Sequence, residues 1–291
     1  MKAPRFGYTR PATLAEGLAL LAQHGAEARL LAGGQSLLAT LAFRLSEPSL
    51  LIDISRLGEL KGVTCAGDVI RVGAGTTHAA LATDPLIRTH VPLLAAAMPL
   101  IAHAAIRNRG TIGGSLAFAD PAAELPACCV ALEARIVVRS AQSERRIPAR
   151  DFFTGLFSTA LEPGEILTAV EFPLPAAEER VAIDEVARRS GDYAMAGVAV
   201  RAVASGGVFR GVRIVFFGVG DGPVLAHGAM AALEGKAVSA AQLAAARAAL
   251  AQDLDPPGDQ HGGPAMKRHL AGVVLQRAIG RIGAAQGART P

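Results

Sequence analysis

The 291-residue sequence has no tryptophan, only two tyrosines and only three cysteines, Cys65 and the adjacent Cys128 and Cys129. Three thiols cannot build a disulfide framework or a four-thiolate iron–sulfur cluster. His24, His78, His90, His103, His227, His261 and His269 are dispersed, with no H-E-x-x-H and no pair at ligand spacing, so structural or surface roles and no metal are expected. A G-x-S-x-G elbow is missing, and Gly235-Lys236 lacks the P-loop spacing and the following Ser or Thr. Although 51% of the residues are hydrophobic, the longest apolar run, Leu93 to Ile106, is broken by Pro99 and His103. It falls short of the roughly 18 residues a spanning helix needs, so no membrane span is expected. The opening Met1-Lys2-Ala3-Pro4-Arg5-Phe6 does not read as a signal peptide, and a cytoplasmic location is expected. The net charge of +4 comes from scattered arginines with no basic helix face or interleaved aromatics, which argues against a nucleic-acid partner.

Glycine is plentiful, and two glycine pairs stand out. Leu30-Leu31-Ala32-Gly33-Gly34-Gln35-Ser36 leaves a short apolar strand, turns on two glycines and enters a helical pattern at Leu37. Arg107-Asn108-Arg109-Gly110-Thr111-Ile112-Gly113-Gly114-Ser115 follows an apolar run and leads through Leu116 to Pro121 and the acid Glu124. Glycine permits positive φ and lets a ligand approach peptide N–H groups with no Cβ in the way. The second stretch is thus expected to be a poor helix or strand and a good ligand cradle. The first lies where a strand ends and a helix N-terminus begins, a favourable place for an anion, with Ser36 as the expected cap. Two such loops suit the two phosphates of a dinucleotide. Gly73-Ala74-Gly75-Thr76-Thr77 lacks the third glycine of G-x-G-x-x-G and precedes only a short helix from about His78, so it is not read as a Rossmann site. Two diphosphate cradles without an acid–base constellation point to chemistry carried by a cofactor.

The run from Ala105 to Pro126, with its Arg-Asn-Arg-Gly-Thr-Ile-Gly-Gly-Ser core and Ala-Asp-Pro-Ala-Ala-Glu-Leu-Pro tail, strongly resembles the FAD-binding medium subunits of molybdenum hydroxylases, the carbon monoxide dehydrogenase and xanthine dehydrogenase family. The resemblance extends from Phe6–Ala12 through Arg188-Arg189-Ser190-Gly191-Asp192-Tyr193 to Phe217-Gly218-Val219-Gly220. It implies an FAD site in which Leu31, Ala32, Gly33, Gly34, Gln35 and Ser36 with Thr111, Ile112, Gly113, Gly114 and Ser115 hold the diphosphate and ribityl chain. Backbone N–H groups would do most of this, assisted by the Ser36, Thr111 and Ser115 hydroxyls. Glu124 aligns with an acid that contacts the flavin side, Ile166 or Leu167 would pack near the adenine or flavin, and Tyr193 would lie beside the isoalloxazine. No catalytic residue is assigned to this chain. Phe118 stands where a polar His or Asn is common and Glu185 where a Lys is common, which puts detailed flavin-edge contacts in doubt. The cysteines and length needed for the iron–sulfur insertion of 4-hydroxybenzoyl-CoA reductases are missing. The implied partners are a large molybdopterin-binding subunit and a small iron–sulfur subunit, in a dimer of heterotrimers, with NAD, oxygen or a quinone as acceptor. A self-contained flavin reductase of the UDP-N-acetylenolpyruvoylglucosamine reductase type shares the fold of the first two lobes and a similar Gly-Thr-x-Gly-Gly loop. It should also supply its own proton donor, for which no clear Ser or Glu constellation is present. A scaffold that has lost FAD is the third class, against which the intact glycine pairs speak.

The resemblance implies an α+β fold: a two-lobed FAD-binding domain of the vanillyl-alcohol-oxidase-like type over residues 1–176, with lobes of about 1–58 and 59–176, and a C-terminal domain over 177–291. Thr13 and Glu16 read as a capping box opening a helix to about Gln23, stopped by Gly25. Strands are expected at Ala28–Ala32, Leu50–Ile54, Val63–Ala66, Val69–Val72, Ile136–Arg139, Arg145–Ile147 and Ile166–Phe172, and a helix from Pro121 to Leu132. Pro173-Leu174-Pro175 and the following Ala176 to Arg180 form the best boundary. Beyond it, strands near Ile183–Arg188, Met195–Ala204 and Gly211–Phe217 should form an antiparallel sheet with one solvated face, covered on the other by helices at Ser239–Ala251 and Pro264–Ile282.

Overall fold

The computed structural model describes residues 2–284, and it is built on three large sheets and a two-stranded one of Phe153–Gly155 with Ser158–Thr159. The first lobe starts as anticipated. Thr13 Oγ1 accepts from the N–H of Glu16 at 3.2 Å, while Glu16 reaches back to the N–H of Ala12 at 2.7 Å, one residue earlier than a standard capping box. The helix Leu14–His24 buries Leu14, Leu18 and Leu21 and stops at Gly25, whose φ of 53° no branched residue would take comfortably. That apolar face covers a three-stranded parallel sheet in the order Gly7–Thr9, Leu50–Asp53, Ala28–Leu31. Asp53, the one charge of the central strand, is held by Arg10, Tyr8 and the N–H of Ser55. Burial works against its ionisation, but those bonds outweigh it and bring its pKa down to about 2.

The second lobe is a five-stranded antiparallel sheet in the order Val63–Ala66, Val69–Gly73, Ile166–Pro173, Arg135–Arg139, Glu144–Pro148. Alternate side chains such as Ile70, Val72, Ile136, Val138, Val170 and Phe172 are buried against helices drawn from 78–131. The central strand Ile166–Pro173 joins the lobes, because Ile166 lies in the core of the first and Leu167 in the core of the second. Gly73 is needed for packing: a Cβ there would sit 2.5 Å from the carbonyl oxygen of Leu60.

Two local expectations are corrected. The helix expected from Pro121 begins at Glu124, and residues 121–123 form a turn braced by the Asp120 carboxylate, which accepts from the N–H of Ala122 at 2.9 Å. The stretch taken for an irregular cradle is itself helical over Ile112–Phe118, capped by Thr111, whose Oγ1 accepts from the N–H of Gly114 at 3.1 Å. A hydrogen-bonded cap and a well-packed neighbour outweigh the helix penalty of two glycines, about 1 kcal/mol each.

The third sheet is antiparallel, in the order Glu179–Val186, Ala196–Ser205, Val208–Phe217, Val224–Leu225. Its first and third strands begin four and three residues earlier than the alternation suggested, the second is shifted by one, and the expected solvated face is absent. Val198, Val200, Ile214 and Phe216 pack on the helices His227–Leu233, Ala240–Asp253 and Pro264–Ala284. From the opposite face Ile183, Ala199, Val215 and Phe217 pack into the second lobe's core with Leu125 and Cys128. The long last helix buries Ala271, Val274, Leu275, Ala278, Ile279 and Ile282, while Met266 is largely exposed. Gly197 leaves room for the Phe217 ring, which a Cβ would meet at 2.1 Å.

Candidate functional site

The two glycine loops, separated by some 75 residues of sequence, meet edge to edge. A Cβ on Gly33 would lie 2.1 Å from the carbonyl oxygen of Arg109 and 2.9 Å from Cα of Gly110, so the first loop passes the second with no room for a methyl group. A Cβ on Gly114 would face the Cβ of Ala32 at 3.9 Å. Gly34 turns the chain at φ 74°, and Gln35 Nε2 donates to the carbonyl of Gly33 at 2.9 Å, closing the turn.

The hydrogen-bonding of the two loops differs sharply. Among the described residues, the backbone N–H groups of Gly33, Gly34, Gln35, Ser36 and Leu37 have no protein acceptor, although Gly33 is buried. Native proteins pair nearly all such donors, so a run of free ones at a strand-to-helix turn has the chemistry to take up an anion. In the second loop the N–H groups of Ile112, Gly113 and Ser115 donate to Thr76, Ala74 and Thr111 carbonyls at 3.1, 2.8 and 3.0 Å, and that of Gly114 is taken by Thr111 Oγ1. Of the backbone donors expected to bind in this second stretch, those of Ile112–Ser115 are spent on anchoring it, and that of Thr111 has no protein acceptor among the described residues. What it presents is a helix N-terminus of small residues, with the Ser115 hydroxyl unengaged. Gly113 is small for packing, since a Cβ would meet that of Ala74 at 2.5 Å. Neither Gly113 nor Gly114 has positive φ. Ser36 occupies the N-cap position of Leu37–Ala42 without making a cap bond, so its hydroxyl too is unengaged.

His78, at the start of the helix His78–Thr83, lies behind the second loop and against Gly110. Both its ring nitrogens are buried without hydrogen-bond partners, and burial lowers its pKa to about 4, so the imidazole is neutral at ordinary pH. It is a packing residue, as its dispersed position implied.

Beyond the second helix the third sheet closes over the site. Glu124, the first residue of the helix Glu124–Ala131, is 8% exposed, and burial, with the charge of Asp120 adding to it, raises its pKa to about 7. Tyr193 follows a left-handed turn at Gly191 (φ 84°), is 66% exposed, and lies near Asp120. Glu185, near the end of the strand Glu179–Val186, is affected by the charges of Glu124 and Asp184. Asp120 was not singled out by the sequence, although an acid before Pro-Ala-Ala is the kind that closes a turn on a following N–H. Phe118 and Phe157 make an exposed edge-to-face pair with ring centroids 5.2 Å apart. Ile166 and Leu167, expected to touch a cofactor, are 1% and 5% exposed core residues.

The structure thus brings Ala32–Gly34 against the Arg109–Gly114 loop, with Glu124 and Tyr193 gathered about Asp120 beyond the helix Ile112–Phe118. A phosphate-bearing dinucleotide suits the first loop by its chemistry, since backbone donors with no protein acceptor are available there to its phosphates. Among the described residues no group of His, Cys, Asp and Glu is arranged to hold a metal, and no helix is long and apolar enough to cross a membrane.

Comparison with known proteins agrees with this chemistry. Residues 4–175 match the family model for the FAD binding domain in molybdopterin dehydrogenase, and residues 181–282 that for the carbon monoxide dehydrogenase flavoprotein C-terminal domain. The sequence is 38% identical to 6-hydroxypseudooxynicotine dehydrogenase complex subunit alpha of Paenarthrobacter nicotinovorans, over 97% of this chain and 95% of that one. It is 37% identical to the carbon monoxide dehydrogenase medium chain of Hydrogenophaga pseudoflava, covering 95% and 96%. A solved structure of quinoline 2-oxidoreductase from Pseudomonas putida 86 superposes with a TM-score of 0.94 at 39% identity, covering both chains completely.

Proposed function

Since the chain belongs to the FAD-binding medium subunits of the molybdenum hydroxylase family, we propose that it is the electron-transfer subunit of a heterotrimeric hydroxylase. In this reading it takes electrons from iron–sulfur clusters of a small partner, after substrate oxidation at a molybdenum cofactor in a large one, and passes them to NAD, oxygen or a quinone. Two heterotrimers would associate, in the cytoplasm. Bound FAD supplies the means to collect electrons singly and release them in pairs.

The residues of this chain do the binding and shielding. The N–H groups of Gly33 to Leu37 would hold the diphosphate, with the Ser36 and Ser115 hydroxyls and the dipole of the Thr111-capped helix beside it. Residues 1–176 would form the FAD-binding domain and 177–291 the domain that closes it, with Tyr193 covering one side of the flavin and Glu124 near its polar edge. Relatives named for 6-hydroxypseudooxynicotine, carbon monoxide and quinoline share this type of chain, which supports placing substrate choice in the large partner.

The observation that carries the proposal is the run of free N–H groups at Gly33–Leu37, pressed against the second loop. Tagging the chain in its native host, purifying it gently and identifying its companions by mass spectrometry tests it. A large molybdopterin-binding chain and a small iron–sulfur chain should be recovered. A yellow protein recovered alone that oxidises a nicotinamide without partners would instead make it a self-contained reductase.

A further inference from the structure

Gly218 follows the strand Val208–Phe217 and stands where two segments of the site meet. Its N–H donates to the carbonyl of Pro121 at 2.8 Å, which fastens the turn running from Asp120 to Glu124. It also presses on the segment after Tyr193: a Cβ on Gly218 would lie 2.7 Å from the carbonyl oxygen of Ala194. Its φ is 76°, so glycine serves both the turn and the close approach. The Asp120 turn is braced within itself, because the N–H groups of Ala122 and Ala123 donate to the Asp120 carboxylate and carbonyl at 2.9 and 3.0 Å. Tyr193, by contrast, is 66% exposed. Packing of the ring does little to hold it, so its place depends on the backbone that carries it.

The Gly218 carbonyl is held in turn by Lys267 of the last helix, whose Nζ donates to it at 3.2 Å. Among the described residues no backbone N–H donates to that carbonyl. Lys267 is only 5% exposed, and its ammonium pairs with Asp259 at 2.6 Å. A buried ammonium is costly to take out of water, and one ion pair seldom more than offsets that cost. Nor is Lys267 needed to close the loop around Asp259. The Asp259 carboxylate accepts from the N–H groups of His261 and Gly262 at 2.7 and 3.2 Å, and the backbones of Asp259 and Gly262 exchange two further bonds. What an apolar side chain at this position could not do is donate to the Gly218 carbonyl, which would then be buried without a partner.

We propose that Lys267 is a positioning residue of the flavin site: by holding the Gly218 carbonyl it fixes the strand end on which the Asp120–Glu124 turn and the Tyr193 segment both rest, and so sets how the Tyr193 ring screens the cofactor from acceptors. This rests on the FAD reading above. Lys267 acts through Gly218 and takes no part in the electron transfer itself.

The test compares two variants of the full chain purified with its partners, each reduced and then mixed with oxygen in a stopped-flow instrument, with flavin absorbance as the readout. Lys267→Met keeps the length of the side chain but removes the donor. Its reoxidation rate should change about fivefold, and the visible circular dichroism of the flavin should change with it. Asp259→Asn removes the ion pair but leaves the Lys267 amine, charged or neutral, to donate to Gly218. It should lower the melting temperature and leave both flavin readouts at their wild-type values. If flavin-loaded Lys267→Met reoxidises as the wild type does, or if the two variants shift the rate alike, the proposal fails while the cofactor reading stands. If the wild-type complex carries no flavin, the cofactor reading itself fails and takes the proposal with it. Should Lys267→Met fail to fold, amide exchange of the wild type in rising denaturant decides the matter. The segments around Ala122, Gly218 and Gly262 must lose protection in one step, and separate steps overturn the proposal.

Discussion

Gly33 is where a single atom decides the most. A methyl group there would overlap the Arg109 carbonyl at 2.1 Å, a backbone atom with nowhere to go. Gly33→Ala should therefore push the two loops apart and lower flavin content about tenfold or more, for a loss of only ~1.4 kcal/mol in binding; absorbance of purified protein measures it. Gly114→Val works differently, since a Cβ there crowds Thr111 Oγ1 at 2.9 Å and projects toward Ala32, narrowing the gap between the loops. It too should yield cofactor-free protein, and normal flavin content in that variant would remove the second loop from the site. Tyr193 is two-thirds exposed and supports little packing. Tyr193→Ala should leave flavin content and melting temperature unchanged but alter the reoxidation rate, as read by stopped-flow with oxygen and with a dye. An unchanged rate with both would make the ring merely structural. His78 sets a pH limit. Its folded pKa, about 4, lies below the ordinary value of 6.5, so between those values the unfolded chain binds more protons and stability falls as pH falls. Denaturant titrations across that window should show a shallower slope for His78→Asn than for the wild type.

Among the elements, the short helix Ile112–Phe118 was the least legible. Gly-Gly flanked by hydroxyl residues reads as a turn, and only three dimensions show that its N–H groups are tied to Thr76 and Ala74. Thr111 is the hinge of that arrangement. Thr111→Ala removes the acceptor for Gly114 and should cost about 1 kcal/mol, as Ncap losses do, seen as a lower melting temperature together with weaker flavin retention. The Ile112–Ser115 donors, expected to hold a ligand, are occupied. The donors of the other loop, expected to bind as well, are free at Gly33–Leu37, where the strand-to-helix transition leaves a helix N-terminus with no cap bond from Ser36. Long amphipathic pieces such as Leu14–His24, and hairpins such as Val63–Gly73, were legible because neighbouring residues settle them.

For the whole molecule, the third sheet binds the halves together by burying both faces. Arg201 and Arg213 from that sheet reach Glu133 at the end of the second lobe's buried helix, and Arg201 also pairs with Glu179 at 2.8 Å. The N–H of Gly218 donates to the carbonyl of Pro121 at 2.8 Å, and the buried Lys267 donates to the Gly218 carbonyl. Glu133→Ala leaves two partly buried guanidiniums short of an acceptor. Calorimetry should show a lower melting temperature, by about 1–3 kcal/mol in stability, and a less cooperative transition. A transition identical to the wild type would mean that apolar burial alone joins the halves.

Local order determined much by itself: the capping signals, the stopping glycines, the β-hairpins, and the pair of glycine loops whose motif identified the family. These follow from backbone conformation and side-chain type over a few residues. Only tertiary structure decided which loop keeps its N–H groups free, because that depends on acceptors at Ala74 and Thr76, far from Gly113 in sequence. It also decided that the third sheet has no solvated face, since one side's cover comes from another lobe. The raised pKa values of Glu124 and Glu185 are of the same kind: they follow from desolvation and from neighbours that the fold, and not the chain order, brings to each carboxyl.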